Sequence, residues 1–260
     1  MDKTLPTLKI VAIKDILFHE ETDPYRVENL TQKIQKDGIF TNPPIVAPYG
    51  KQYLLLDGAN RVRAISLLNY HHIVVQIVKY DAVKVSSWQH IVCGINKDNF
   101  RKRITELIAK NGLIITQTKI PATIINLPSE FLCWIIIQNE CYKIKNKGKL
   151  LENLKILNDL VKQYKGQSRI YRIEANVSMK EAYKQYRQIT AIIRFPAITR
   201  ADIITAVKHN IKIPSGITRH ILPNRALKIN LPLSLLESKQ SLNVKNQKLA
   251  LFLKRKLNNN

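Results

Sequence analysis

The stretch Tyr53-Leu54-Leu55-Leu56-Asp57-Gly58-Ala59-Asn60-Arg61-Val62-Arg63-Ala64-Ile65-Ser66-Leu67-Leu68 reads as a strand running straight into a helix. The apolar run stops at Asp57-Gly58, and a helical pattern begins at once with basic residues in its first turn. A helix N-terminus carries free backbone N–H groups and a partial positive charge, so it favours a phosphate. Gly58 lets the backbone approach closely, Arg61 can grip phosphate oxygens bidentately, and Asp57 can hold a metal or a substrate hydroxyl. A D-G-x-x-R string also fits a plain strand-to-helix turn with a solvated arginine, so the neighbouring segments decide.

Upstream, the strand-like run Ile10–Phe18 ends at His19-Glu20-Glu21, just before Asp23-Pro24. Asp23 suits an N-cap, Pro24 the first helical position, and Gly38 the residue after the last turn. Pro43-Pro44-Ile45-Val46-Ala47 follows, then a Tyr49-Gly50-Lys51 turn, the 53–56 strand, a helix to about Asn69 and a β-rich Ile73–Val78.

That order resembles the ParB/sulfiredoxin-like nucleotide-binding domain, and within it the free serine kinase branch, whose signature is H-E followed later by D-G-H-H-R. Ile213-Pro214-Ser215-Gly216-Ile217-Thr218-Arg219-His220 is similar to that family's P-P-x-x-T-R-H segment. Length and spacing fit best the serine kinase that serves staphyloferrin B siderophore synthesis, and the motifs bracket roughly residues 8–230. Ala59-Asn60 stand where the family often carries His-His.

The resemblance implies ATP-dependent phosphorylation of free L-serine to O-phospho-L-serine, with Mg²⁺ and with ADP left open as an alternative donor. Phosphoryl transfer needs an aligned hydroxyl and a neutralised terminal phosphate. Glu20 is the candidate base; Asp57 would hold Mg²⁺ or orient the hydroxyl; Gly58, Ala59, Asn60 and Arg61 would hold phosphates. Trp88, Thr218 and His220 would recognise the amino acid. Bland readings stand beside these: an exposed Glu20-Glu21 pair, a core Trp88, a structural His220.

The chain has 260 residues and a net charge of +23. Residues 1–80 carry ten Lys and Arg against eight Asp and Glu, so the excess lies beyond them. Such a surplus admits a polyanion partner, including non-specific DNA, or reflects a Lys-, Ile- and Asn-rich composition. Cys93, Cys133 and Cys141 are too few and scattered for a disulfide framework or a zinc site. Cys93 reads as a buried, inert thiol. Neither a signal-peptide core at Met1–Pro6 nor a membrane-length apolar run is present, the longest being Phe131–Ile137, so a cytoplasmic location is expected.

Beyond residue 80, helical patterns open at Arg101, over Gly148–Gly166, from Ser178 through Ile189, and from Thr199 to about Asn210, with strands near Leu113–Ile115, Ile170–Ile173 and Ala191–Phe195. The expected class is α+β: a ParB/sulfiredoxin-like catalytic domain over 1–95, a basic, mainly helical α+β domain over 96–237 completing the substrate pocket, and a basic tail over 238–260, expected as a helix frayed into a mobile end. The apolar face of Gly148–Gly166 could serve a homodimer. The alternative function is a ParB-like nucleotide-responsive DNA-binding regulator. However, the link between the 148–166 and 178–189 helices is too long for a helix-turn-helix.

Overall fold

The computed structural model describes residues 6–120, 127–138, 140–222 and 224–258. Residues 1–5 and 259–260, which belong to the expected N-terminal stretch and basic tail, lie outside them. The chain begins β1 (Thr7–Ala12), β2 (Ile16–Phe18), α1 (Pro24–Asp37), β3 (Ile39–Phe40), β4 (Ile45–Tyr49), β5 (Gln52–Asp57), α2 (Ala59–Leu67) and β6 (His72–Ile77). It continues through β7 (Lys84–Ser87), β8 (Gln89–Cys93), α3 (Lys97–Lys110), β9 (Ile115–Lys119), β10 (Phe131–Ile137), β11 (Glu140–Lys145) and α4 (Leu150–Lys162). Last come β12 (Arg169–Ile173), α5 (Met179–Gln185), β13 (Ile189–Arg194), α6 (Arg200–Lys208), β14 (Thr218–Ile221), β15 (Leu231–Pro232), α7 (Leu233–Glu237) and α8 (Leu242–Asn258).

The architecture is α+β, in two compact units that divide the chain differently from the expected 95 and 237 boundaries. The first holds residues 1–84 together with 220–260, and the second is the continuous span 85–219.

In the first unit, five strands lie in the order β1-β6-β4-β5-β2. The pairs β2/β5 and β4/β6 are parallel; β1/β6 and β4/β5 are antiparallel. The strand expected over Ile10–Phe18 is broken by a 3₁₀ turn at Ile13–Asp15, so β1 and β2 sit on opposite edges of the sheet. Helix α1 begins and ends as expected: Asp23 accepts from the Arg26 N–H, Pro24 opens the first turn, and Gly38 closes it in the left-handed region. Val62 and Ile65 of α2 and Ile34 of α1 pack on Ile10, Val46, Leu55 and Val74 of the sheet. Burying each such side chain contributes about 1.5–3 kcal/mol.

The tail, expected as a helix frayed into a mobile end, is helix α8 packed onto the first unit. Leu249 is buried in the same core. The Asn246 side chain accepts from the Ile10 N–H (2.8 Å) and donates to the Ile10 carbonyl (2.9 Å), which covers part of the β1 edge. Lys245 is 1% exposed, and its ammonium donates to the Leu236 carbonyl and to His72 Nδ1 (3.0 Å). Two ordered acceptors offset part of the cost of burying that charge.

In the second unit, six antiparallel strands run β12-β8-β13-β10-β11-β9. Strand content therefore exceeds what the helix-rich reading of residues 96–237 anticipated. The Phe131–Ile137 run is the buried strand β10, and the short strand expected at 113–115 forms two residues later as β9. Helix α5 stops at Gln185 rather than Ile189, because Ile189 already begins β13. The apolar face of α4, offered above to a dimer, is spent inside the unit: Leu154, Ile156, Leu157, Leu160 and Val161 are all buried. Between α4 and α5 runs β12, so these helices form no helix-turn-helix. All three thiols are buried and reduced; burial pushes the Cys141 thiol up to about 11 and Cys133 higher still, which keeps both protonated. Among the described residues, no helix is long and apolar enough to cross a membrane.

Candidate active site

Strands β2 and β5 are parallel neighbours, with Phe18 opposite Leu55. His19-Glu20 and Leu56-Asp57 therefore leave the same end of adjacent strands, which lie about 4.8 Å apart. The two carboxylates predicted as base and metal ligand thus emerge on one side of the sheet. His19 is 3% exposed, and its Nδ1 lies 2.6 Å from the Leu55 carbonyl. A carbonyl only accepts, so Nδ1 carries the proton and donates. Burial lowers the His19 pKa from 6.5 to about 4, against smaller raising effects from that hydrogen bond and from Asp57. The ring is neutral near pH 7.

His220 stands edge-on to His19 with ring centroids 5.2 Å apart, and the Tyr80 hydroxyl lies 3.3 Å from His220 Nε2. The predicted His220 thus joins the Glu20 strand end from a segment 200 residues along the chain.

Beyond Asp57 the backbone turns at Gly58, with φ at 99° in the left-handed region. A Cβ there would also meet Arg61 Nη2 at 2.8 Å, so a larger residue would strain the turn and push the guanidinium aside. The Val62 N–H closes the first helical bond to the Gly58 carbonyl at 3.0 Å. The N–H groups of Ala59, Asn60 and Arg61 precede that bond and belong to the open first turn. The Asn60 side-chain oxygen accepts from the Asp23 N–H at 2.9 Å, tying the start of α1 to the start of α2.

Arg61 departs from its expected posture. Its Nη1 donates to the Asn42 (2.7 Å) and Pro43 (3.0 Å) carbonyls, and its Nη2 to Asp57 Oδ2 (2.6 Å). The guanidinium is a clamp between the β3–β4 connection and Asp57. Burial lowers its pKa and the Asp57 charge opposes that. A second cation, Arg225, reaches the same Asp57 oxygen from 168 residues away and was not singled out from sequence. Its one sequence signal was a position five residues beyond the Thr218-Arg219-His220 motif.

Trp88 and Thr218 belong to the second unit. The Trp88 N–H donates to the Ile217 carbonyl at 2.7 Å. The Arg219 guanidinium covers the indole at 4.4 Å and pairs with Glu174 at 2.6 Å. Buried His90 donates through Nε2 to the Gly216 carbonyl (3.0 Å) and meets the Tyr164 hydroxyl with Nδ1 (2.8 Å). Together these contacts fix the backbone leading into Thr218.

A helix N-terminus, two carboxylates and an exposed guanidinium gather at one end of a mixed sheet, a set of groups whose chemistry suits a phosphorylated ligand. No family model matches the chain. An ATP-dependent L-serine kinase of Staphylothermus marinus is 30% identical over 245 residues, covering 88% of this chain and 90% of that one. The ATP-dependent L-serine kinase SbnI of Staphylococcus aureus is 24% identical over 232 residues, 88% of this chain and 84% of its own. The structure of SbnI with a C-terminal truncation shares the fold, with a TM-score of 0.73 at 20% identity over 96% of this chain and 97% of that one. A free serine kinase in complex with AMP gives 0.68 at 21% identity over 91% and 98%. The chain belongs to the ATP-dependent L-serine kinase family.

Proposed function

We propose that the protein transfers the terminal phosphoryl group of ATP to free L-serine, giving O-phospho-L-serine and ADP. The observation that carries this reading is the delivery of Glu20 and Asp57 from the same ends of parallel β2 and β5, beside the open first turn of α2. Glu20 accepts the proton from the serine hydroxyl as its oxygen bonds to the γ-phosphorus. The bond from that phosphorus to the β,γ-bridging oxygen then breaks, and its electron pair leaves with ADP. Backbone N–H groups of residues 59–61 hold phosphate oxygens without any titratable group. The clamped Arg61 keeps Asp57 and the Asn42–Pro43 backbone in place around them.

Among the described residues no set of three or more His, Cys, Asp and Glu side chains forms a metal cage. Nucleotide-borne Mg²⁺ needs only one or two carboxylates besides phosphate oxygens, so Asp57 fits as its protein ligand. The ion would supply charge neutralisation at the phosphates. Trp88, Thr218 and His220 are assigned to recognition of the amino acid. The product's use in siderophore precursor synthesis follows from the resemblance to the staphyloferrin B enzyme.

The test is ³¹P NMR of the full-length protein with Mg²⁺, ATP and L-serine, beside Glu20→Gln. Phosphoserine should accumulate with the wild type and fall at least about a hundredfold with the variant, at nearly unchanged nucleotide affinity. No phosphoserine from the wild type would refute the reading; full activity of the variant would remove Glu20 as base.

A further inference from the structure

Arg61 and Arg225 converge on one oxygen of Asp57, but they are held very differently. Arg61 is 19% exposed and bound to two backbone carbonyls besides. Arg225 is 42% exposed, and among the described residues Asp57 is the one polar partner of its guanidinium. The Asp57 carboxylate faces two full positive charges and the positive end of α2, and Glu20 at the neighbouring strand end brings the charged side chains of the site into balance.

The backbone of Arg225 is not left to chance. Gln76 lies on β6 and is 3% exposed. Its Nε2 donates to the Asn224 carbonyl (3.0 Å), and its Oε1 accepts from the Ala226 N–H (2.8 Å). A single buried amide thus pins the chain on both sides of Arg225, as a neighbouring strand would. A fixed backbone carrying an exposed, singly paired guanidinium can aim that group without confining it to one partner.

We infer that Arg225 is a phosphate-binding residue of this site, resting on Asp57 in the empty protein and turning onto the terminal phosphates of the nucleotide. A guanidinium fork matches a phosphate as well as a carboxylate. Its departure frees a lone pair on Asp57 Oδ2, which Arg61 still holds, for Mg²⁺ or the hydroxyl. Gln76 is the positioning residue behind it. The inference rests on the nucleotide-site reading above, but it concerns binding and is tested by binding.

Calorimetry of the full-length protein with Mg²⁺ATP and with AMP separates the possibilities, using wild type, Arg225→Ala and Arg225→Lys. A lost charge-assisted contact predicts about thirtyfold weaker ATP binding by Arg225→Ala. AMP affinity should change less than about threefold, and Arg225→Lys should recover part of the ATP loss. Equal losses for both nucleotides, or ATP affinity within about threefold of wild type, would overturn the inference. Unchanged circular dichroism melting of Arg225→Lys guards against misfolding as the cause. Wild type that binds ATP but makes no phosphoserine would defeat the kinase reading and leave these ratios standing.

Discussion

Acidification should strip stability from the first unit through one imidazole. His19 is buried beneath the site, and its pKa falls from 6.5 to about 4. The unfolded chain takes up this proton below about pH 6.5, the folded chain only below about 4. Between those values the unfolded state holds more protons, so stability is fully present above about pH 6.5 and drains away as pH falls through 4. Each tenfold change in proton affinity is worth about 1.4 kcal/mol. Relative to pH 7.5 the loss is about 2 kcal/mol at pH 5 and about 3 kcal/mol at pH 4.

The measurement is urea unfolding of wild type and His19→Gln at pH 7.5, 6 and 5. Both tryptophans, Trp88 and Trp134, lie in the second unit, so their fluorescence would miss the effect. Methyl proton NMR signals of Ile65 and Val74 report on the first unit instead. His72, also lowered by burial and by Lys245, titrates alike in both proteins and cancels in the difference. Equal pH slopes for the two proteins, or a His19 ring resonance titrating near 6.5, would refute the reasoning.

Two further perturbations probe the frame. Gly58→Ala forces a left-handed alanine, costing about 1–2 kcal/mol before Arg61 is displaced; thermal melting should fall and nucleotide affinity with it, and an unchanged melting temperature would mean the turn relaxes freely. Deleting residues after Glu237 removes Asn246 and Leu249 from the β1 side of the core, so the first unit should lose cooperative unfolding and phosphoserine formation together, whereas wild-type turnover would show α8 to be dispensable.

Local signals made α1 and the β5–α2 turn readable, because Asp23, Pro24, Gly38 and Asp57-Gly58 act on their immediate neighbours. Helix α5 was overrun since Gln188, not glycine, takes the positive φ of 55° before β13, and a non-glycine residue gives no warning of that turn. Helix α8 reads as a frayed end in the sequence because Leu249 is its one fully buried apolar residue and its other anchors are polar, Lys245 and Asn246. The destinations of Arg61 and Arg225 were hidden for a different reason. Arginine chemistry is visible in a sequence, but a partner 168 residues distant is fixed only by the tertiary fold. The return of residues 220–260 to the first unit was hidden likewise, since nothing near residue 220 announces it.

That return sets an order of events during synthesis. Residues 85–219 contain every strand of the six-stranded sheet, so this sheet can close as soon as they leave the ribosome. The opening 84 residues must wait, with the β1 edge uncovered and Asp57 facing only Arg61, until Arg225 and α8 emerge. The candidate site is therefore completed only once α8 has followed Arg225 out of the ribosome, and until then the β1 edge stands open to pairing with other chains.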